Sequence, residues 1–256
     1  MPGELAVPLS ALLGFLLVLV RVGGALIFVP LPGVSAGPEL ARVMLAVGFT
    51  VALFPVWPAV PVDGIGVGQL LVWIFSEAAF GITVGVAVAF LIETLIVATQ
   101  ALGVQAGYSY ASTVDPSTQA DSNVLLVFAH LTAGLLFFAL GLDRQVLAVF
   151  ARSLAVYPPG AFHLKPESAD AVWKLGGAMF STGLRLAMPV IVLLMLVDIA
   201  LALLGRIHVQ LQLLTLAFPV KMLATLAFLA VITVFFLPVF RGAAERTFSV
   251  LWGSLR

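Results

Sequence analysis

The chain contains no cysteine, so it forms no disulfide, holds no thiolate-bound metal and uses no cysteine nucleophile. Charge is scarce as well: 9% of the 256 residues are Asp, Glu, Lys or Arg, where soluble domains carry about 25%. The 12 basic residues balance 12 acidic ones, which leaves no basic field to hold a nucleic-acid backbone and no acidic run of the kind that forms a disordered tail. DNA and RNA are excluded as partners on that ground. Of three histidines, His130 has no second His or carboxylate three or four residues away, and His163 and His208 are isolated from other histidines, so no metal site is expected. No His-Glu-x-x-His pair is present, and Gly103-Val-Gln-Ala-Gly107, the nearest approach to a phosphate-binding loop, lacks the Lys-Ser/Thr that such a loop needs. Neither enzymatic activity nor a cofactor is expected.

What fills the space is apolar. Hydrophobic residues make up 62% of the chain and the mean hydropathy is +1.19; a soluble domain cannot hide that fraction, so lipid or other subunits must cover much of the surface. A helix needs about 20 apolar residues to cross about 30 Å of hydrocarbon, and six stretches qualify: Leu9 to Leu31, Val43 to Val62, Leu70 to Ala98, Val124 to Leu142, Gly176 to Leu204 and Val209 to Phe240. The first follows Glu4 rather than a basic segment and lacks a clear small-residue cleavage site, so it is expected to stay in the mature protein.

Several stretches are too long for one conventional span. No proline interrupts the chain between Pro61 and Pro116, and a helix from Ile65 to Gln105 would extend about 60 Å, twice the hydrocarbon thickness. Tilt absorbs only part of such a mismatch. Farther on, Pro189 and Pro219 each remove a helical hydrogen bond and predict two kinked helices joined as a hairpin, with the turn near Arg206 and His208. The phrases around the two prolines, residues 187–193 and 217–223, resemble one another, which chance explains as readily as an internal repeat in so apolar a chain.

Two segments read as polar loops, Tyr108 to Asn123 and Pro158 to Lys174. Between Gln145 and Tyr157, the residues Val146, Val149, Phe150 and Leu154 share one helical face, which suits either an interfacial helix or a helix packed on the protein itself. Basic residues gather at Arg144, Arg152, Lys165 and Lys174 and again at Arg241, Arg246 and Arg256, while residues 100–123 have none. The positive-inside bias puts the first two groups, and so the C-terminus, on the cytoplasmic side.

Arg21, Glu77, Glu93, His130, Arg185, Asp198 and Lys221 lie within or beside the apolar stretches, with Arg206 at the expected turn. Each is costly in lipid and needs a partner, a water-filled path or an interface. A relay with Glu93 or Asp198 as the titrating group is one reading; buried pairs that hold helices or subunits together (Glu77, Glu93, Arg185, Asp198, Arg206 and Lys221) are the other. The pairs Gly81/Gly85 and Gly103/Gly107 have the spacing that lets helix backbones approach closely.

The run Gly103-x-Gln105-x-Gly107-Tyr108-Ser109, followed by Asp115-Pro116, resembles the central segment of the FliR family of flagellar biosynthesis and type III secretion export-gate subunits. The resemblance continues through His130, Phe137-Phe138, Ser153, Pro158, Pro189, Arg206, Gln210 and Pro219-Val220-Lys221, in order and over most of the chain. Members often read Arg-x-x-Pro-Gln-x-Asn where this chain has Arg206-Ile-His-Val-Gln-Leu-Gln212, and Gly-His where it has Gly141-Leu-Asp143.

The resemblance implies one domain, residues 1–256, in an all-α membrane-associated fold of long kinked hairpins packed against other subunits rather than a conventional six-span bundle. It implies a non-enzymatic subunit of the flagellar export gate in the bacterial inner membrane and flagellar basal body. Its partners would be FliP-, FliQ- and FlhB-like subunits, an unfolded polypeptide substrate and lipid over part of its surface. The pore plug of that family maps onto Gly107-Tyr108-Ser109-Tyr110-Ala111-Ser112-Thr113-Val114-Asp115-Pro116-Ser117-Thr118-Gln119, whose uncharged polar side chains could seal around a chain without holding it. A virulence-system counterpart is the alternative within this class. An ion-coupled secondary transporter built on Glu93, Asp198, Lys221 and proline-broken helices is the alternative outside it.

Overall fold

The computed structural model describes residues 8–29, 39–58, 60, 64–108, 124–163, 165–207 and 213–255, and among these it contains helices and no strand. Helix α1 spans Leu9–Leu26, α2 Glu39–Ala52, α3 Val67–Ala106, α4 Val124–Ala139, α5 Leu142–Val156, α6 Pro166–Ile207, α7 Leu213–Ile232 and α8 Phe236–Ser254. Short 3-10 turns occupy Phe54–Val56 and Thr233–Phe235. The proline-free stretch forms a single helix, α3, of 40 residues, about 60 Å long.

Helix ends follow from local chemistry. α2 stops before Pro55, which has no N–H to give to the Val51 carbonyl one turn back, and the Trp57 indole N–H donates to the Thr50 carbonyl (2.9 Å) left open by the missing next turn. α3 ends at Gly107, which takes φ +83°. The Tyr108 N–H reaches back to the Gly103 carbonyl (3.0 Å) and the Gly107 N–H to the Val104 carbonyl (3.2 Å), the paired bonds of a glycine-terminated helix. At Gly141, φ +64° lets the chain turn 63° between α4 and α5.

Two compact units emerge. The first comprises Met1–Phe90, Phe137–Gly176 and Ala244–Arg256. Its core is organised on Phe80, which meets Phe150, Tyr157 and Phe162 edge-on or tilted at centroid distances of 5.1–6.3 Å. α1 lies directly on α3: an added Cβ at Gly85 would stand 2.6 Å from the Ala25 carbonyl oxygen and one at Gly24 would stand 3.1 Å from that of Ala78, while Gly81 leaves no room for a Cβ beside the Arg21 carbonyl. Only glycine permits this backbone-to-backbone approach.

The second unit comprises Leu91–Leu136 and Gly177–Ala243. Leu91, Leu95, Leu102, Leu125 and Leu194 form its buried core. A Cβ on Gly183 of α6 would stand 2.6 Å from the Thr94 carbonyl of α3, so these two helices also pack through a glycine.

The six apolar stretches do not become six spans. Among the described residues four helices are long and apolar enough to cross a membrane, or five if the bent pair α4–α5 counts as one span. The second stretch yields only the 14 residues of α2, because Pro55 and Pro58 close it early. The segment expected as a loop to Lys174 is helical from Pro166 onward: proline suits the first helical position, Glu167 complements the dipole in the first turn, and Asp170 pairs with Lys174 one turn later at 2.6 Å. Composition read that charged run as a loop; position makes it a helix start. On α5, Val149, Phe150, Ser153 and Leu154 are buried, so the helix packs on the protein itself. Coverage is uneven: 61% of the most apolar window of α3 is buried, against 22% for α6 and 22% for Pro219–Ser254.

Candidate functional site

Two charged centres stand out, one in each unit. In the first, Arg21 of α1 meets Glu77 of α3, and both are only 1% exposed. The guanidinium engages the carboxylate bidentately, through Nε to Oε2 and Nη2 to Oε1 (3.0 Å). Its remaining donors reach Ser153 Oγ (2.9 Å) and the Tyr157 carbonyl (3.3 Å). The Gly160 N–H donates to Glu77 Oε1 (3.3 Å), and the Arg21 Cζ sits 5.0 Å from the Phe80 ring centroid. A buried charge is tolerated when it is paired and its remaining donors are satisfied, which is the case here. The centre ties α1, α3, α5 and the 157–160 turn together and leaves no open face for a ligand.

The second centre is built from the motif at the end of α3. Lys221 Nζ of α7 contacts both carboxylate oxygens of Asp198 on α6, at 2.9 and 3.0 Å. Gln105 Nε2 donates to the same carboxylate (3.2 Å). Three residues on, the Tyr108 hydroxyl donates to the Met222 carbonyl (3.2 Å), next to Lys221 in the chain. Burial pushes the Tyr108 phenol above its ordinary value, so it stays a neutral donor through the physiological range. The Lys221 side chain is 14% exposed and that of Asp198 43%, a more open setting than the first centre.

The other anticipated residues are distributed differently. Glu93 is half-buried on α3 and interacts electrostatically with His130, whose Nδ1 contacts the Leu126 carbonyl at 2.9 Å. Arg185 and Arg206, expected to be buried, are exposed, because they lie on the sparsely covered helix α6. Gly81 and Gly85 stand at the α1–α3 contact. Gly107 acts as the cap of α3, a different use from the helix approach its spacing with Gly103 suggests. Pro189 and Pro219 lie inside α6 and α7. Of the plug segment only Gly107 and Tyr108 belong to the described residues; Ser109 to Gln119 lie outside them, as does the turn expected at His208.

Sequence reasoning named Arg21, Glu77, Asp198 and Lys221 but not their pairing, and it placed Gln105 in a motif without a contact. Among the described residues, no group of three or more His, Asp or Glu side chains could hold a metal ion. Gly33-Val34-Ser35-Ala36-Gly37 has the spacing of a hydrolase nucleophile elbow, but that elbow joins a strand to a helix. These five residues stand between helices α1 and α2, outside the described residues.

Comparison with known proteins extends across both units. The family described as bacterial export proteins, family 1, matches residues 12–247. The flagellar biosynthetic protein FliR of Escherichia coli (strain K12) is 28% identical over 239 residues, which cover 93% of this chain and 89% of that protein. FliR of Bacillus subtilis (strain 168) is 26% identical over 223 residues, with 85% of each chain covered, and that of Caulobacter vibrioides is 27% identical over 220 residues, with 84% and 86% covered. A match that begins in α1 and ends in α8, taking in both charged centres and the motif at the end of α3, leaves one conclusion: the chain belongs to the bacterial export proteins of family 1.

Proposed function

We propose that this chain is a non-enzymatic subunit of the flagellar type III protein-export gate, which helps to form and plug the pore through which unfolded flagellar proteins leave the cell. The observation that carries the reading is the family match over residues 12–247, with flagellar FliR proteins as the relatives that cover most of both chains. Those flagellar names favour the flagellar system over its virulence counterpart.

The distribution of apolar surface supports an assembled subunit. α6 and the region Pro219–Ser254 are long, apolar and largely bare, with Trp173, Phe180, Leu223, Val231 and Val234 all more than half exposed. Surface of that kind requires lipid or neighbouring subunits. The neighbours in this reading are FliP-, FliQ- and FlhB-like proteins in the inner membrane at the flagellar basal body, with the C-terminus on the cytoplasmic side. Gly107 to Gln119 is the plug, and Arg185, Arg206 and the Asp198–Lys221 pair are assembly contacts.

The test is co-expression with FliP- and FliQ-like proteins followed by size analysis in detergent. A defined complex containing all three is expected; recovery of this chain as a monomer overturns the proposal. Proteoliposomes holding the chain alone should transport nothing, and transport abolished by Asp198→Asn would instead establish the secondary-transporter alternative. Deleting residues 108–119 should leave assembly intact and make the pore leak small solutes.

A further inference from the structure

The geometry points to Asp198 and Lys221 as positioning residues that, with Gln105 and Tyr108, anchor the end of α3 to α6 and α7 and so set the point at which the chain leaves α3. Two contacts hold that end. Gln105, in the last turn of α3, donates to Asp198 on α6 (3.2 Å), and Tyr108, just past the cap, donates to the Met222 carbonyl on α7 (3.2 Å). Lys221 links the two receiving helices by its contacts with both oxygens of Asp198. Gln105, Asp198 and Lys221 therefore form one connected set of side chains, and Tyr108 joins it through the α7 backbone at Met222, the residue after Lys221.

Gly107 makes the arrangement possible. Its left-handed conformation ends α3 between Gln105 and Tyr108 and turns the Tyr108 side chain off the helical path. Without that turn the two contacts could not be aimed at different helices from positions three residues apart.

The contrast with Arg21–Glu77 shows what kind of anchor this is. That pair is sealed from solvent, and breaking it leaves a stranded buried charge. Asp198 is 43% exposed on its side chain, so this network, unlike the Arg21–Glu77 pair, is not enclosed by the chain's own packing. It sets position and is not the pin of the fold. The consequence for the pore rests on the plug reading of residues 107–119 given above; the anchor itself does not.

The absence of native cysteine makes a direct test available. A nitroxide is attached to the full chain carrying Ser109→Cys, held in phospholipid nanodiscs, and its mobility is read by electron paramagnetic resonance. Tyr108→Phe should raise the mobile fraction about five-fold, the scale expected for one lost hydrogen bond, and Asp198→Ala, which removes the Gln105 bond and the Lys221 pair, at least as much. Asp198→Asn, which keeps an oxygen that can accept from Gln105 Nε2, should stay close to the original spectrum, and Lys174→Ala, on the exposed first turns of α6, should not change it. Unchanged spectra in both Asp198→Ala and Tyr108→Phe overturn the anchor, as does an Asp198→Asn variant that is as mobile as Asp198→Ala. Tyr108→Phe removes a single oxygen atom and decides the matter if Asp198→Ala does not fold. Leakage of the co-expressed complex separates the two ideas: mobility that rises while deletion of 108–119 causes no leak refutes the plug and keeps the anchor, and a leaky deletion with unchanged mobility does the reverse.

Discussion

Arg21 and Glu77, 56 positions apart in the sequence, form a bidentate ion pair with each residue 1% exposed, and the guanidinium donates further to Ser153 Oγ and the Tyr157 carbonyl. The same carboxylate receives the Gly160 N–H. Three helices and a turn thus converge on two side chains. Replacing either partner alone leaves a charge where water cannot reach it.

Glu77→Ala should therefore destabilise the protein by about 3–5 kcal/mol, the cost of breaking a buried pair from one side. The double substitution Arg21→Met with Glu77→Leu should recover most of that loss, because it removes both charges together. Thermal unfolding in detergent measures both. A single variant as stable as wild type would show that the centre is not closed to solvent.

The glycines of α1 and α3 give a graded series. Gly81→Ala and Gly85→Ala press a methyl group into the opposing backbone and should cost about 1–3 kcal/mol through overpacking. Gly23→Ala meets nothing within 4 Å and should stabilise α1 by up to about 1 kcal/mol, since alanine is the better helix former. Unfolding midpoints of the three variants should fall on opposite sides of wild type.

Gly107→Ala should weaken the end of α3 by about 1–2 kcal/mol, the penalty for a Cβ in left-handed geometry. Asn should be tolerated better at this position, because it enters that region with less strain. Hydrogen exchange at Gly107 and Tyr108, whose N–H groups make the two capping bonds, reports the difference directly.

Arg185 is an exposed cation on a sparsely covered apolar helix. Arg185→Ala should leave the unfolding midpoint of the isolated chain unchanged and lower the yield of the complex with FliP- and FliQ-like partners. A normal yield removes Arg185 from the assembly contacts.

The long helices were legible because their cause is local. A run without proline from 62 to 115 and a predominantly apolar composition are enough to propagate α3, and Gly81 and Gly85 announced a close approach through their spacing. The segment 166–174 was misread because charge density marks loops and helix starts alike; Pro166 at the first helical position and the Asp170–Lys174 spacing were the signals that separate them. Pro55 and Pro58, which cut the second apolar stretch down to α2, were present in the sequence but outweighed by its hydropathy.

The candidate site was legible only as a set of residue types. Seven ionisable groups in apolar surroundings had to be paired, shielded or placed at an interface, because an unpaired charge in a low-dielectric medium is too costly; that much the residues determined by themselves, together with the helical class and the membrane setting. Which solution each group adopts was decided by tertiary structure alone. Arg21 found Glu77, Asp198 found Lys221 and Gln105, and Arg185 and Arg206 were left on the surface. Hydrophobic periodicity specifies which face of a helix turns inward, but a partner 23 or 56 positions away is chosen by how helices pack against one another, and that information exists only once they do.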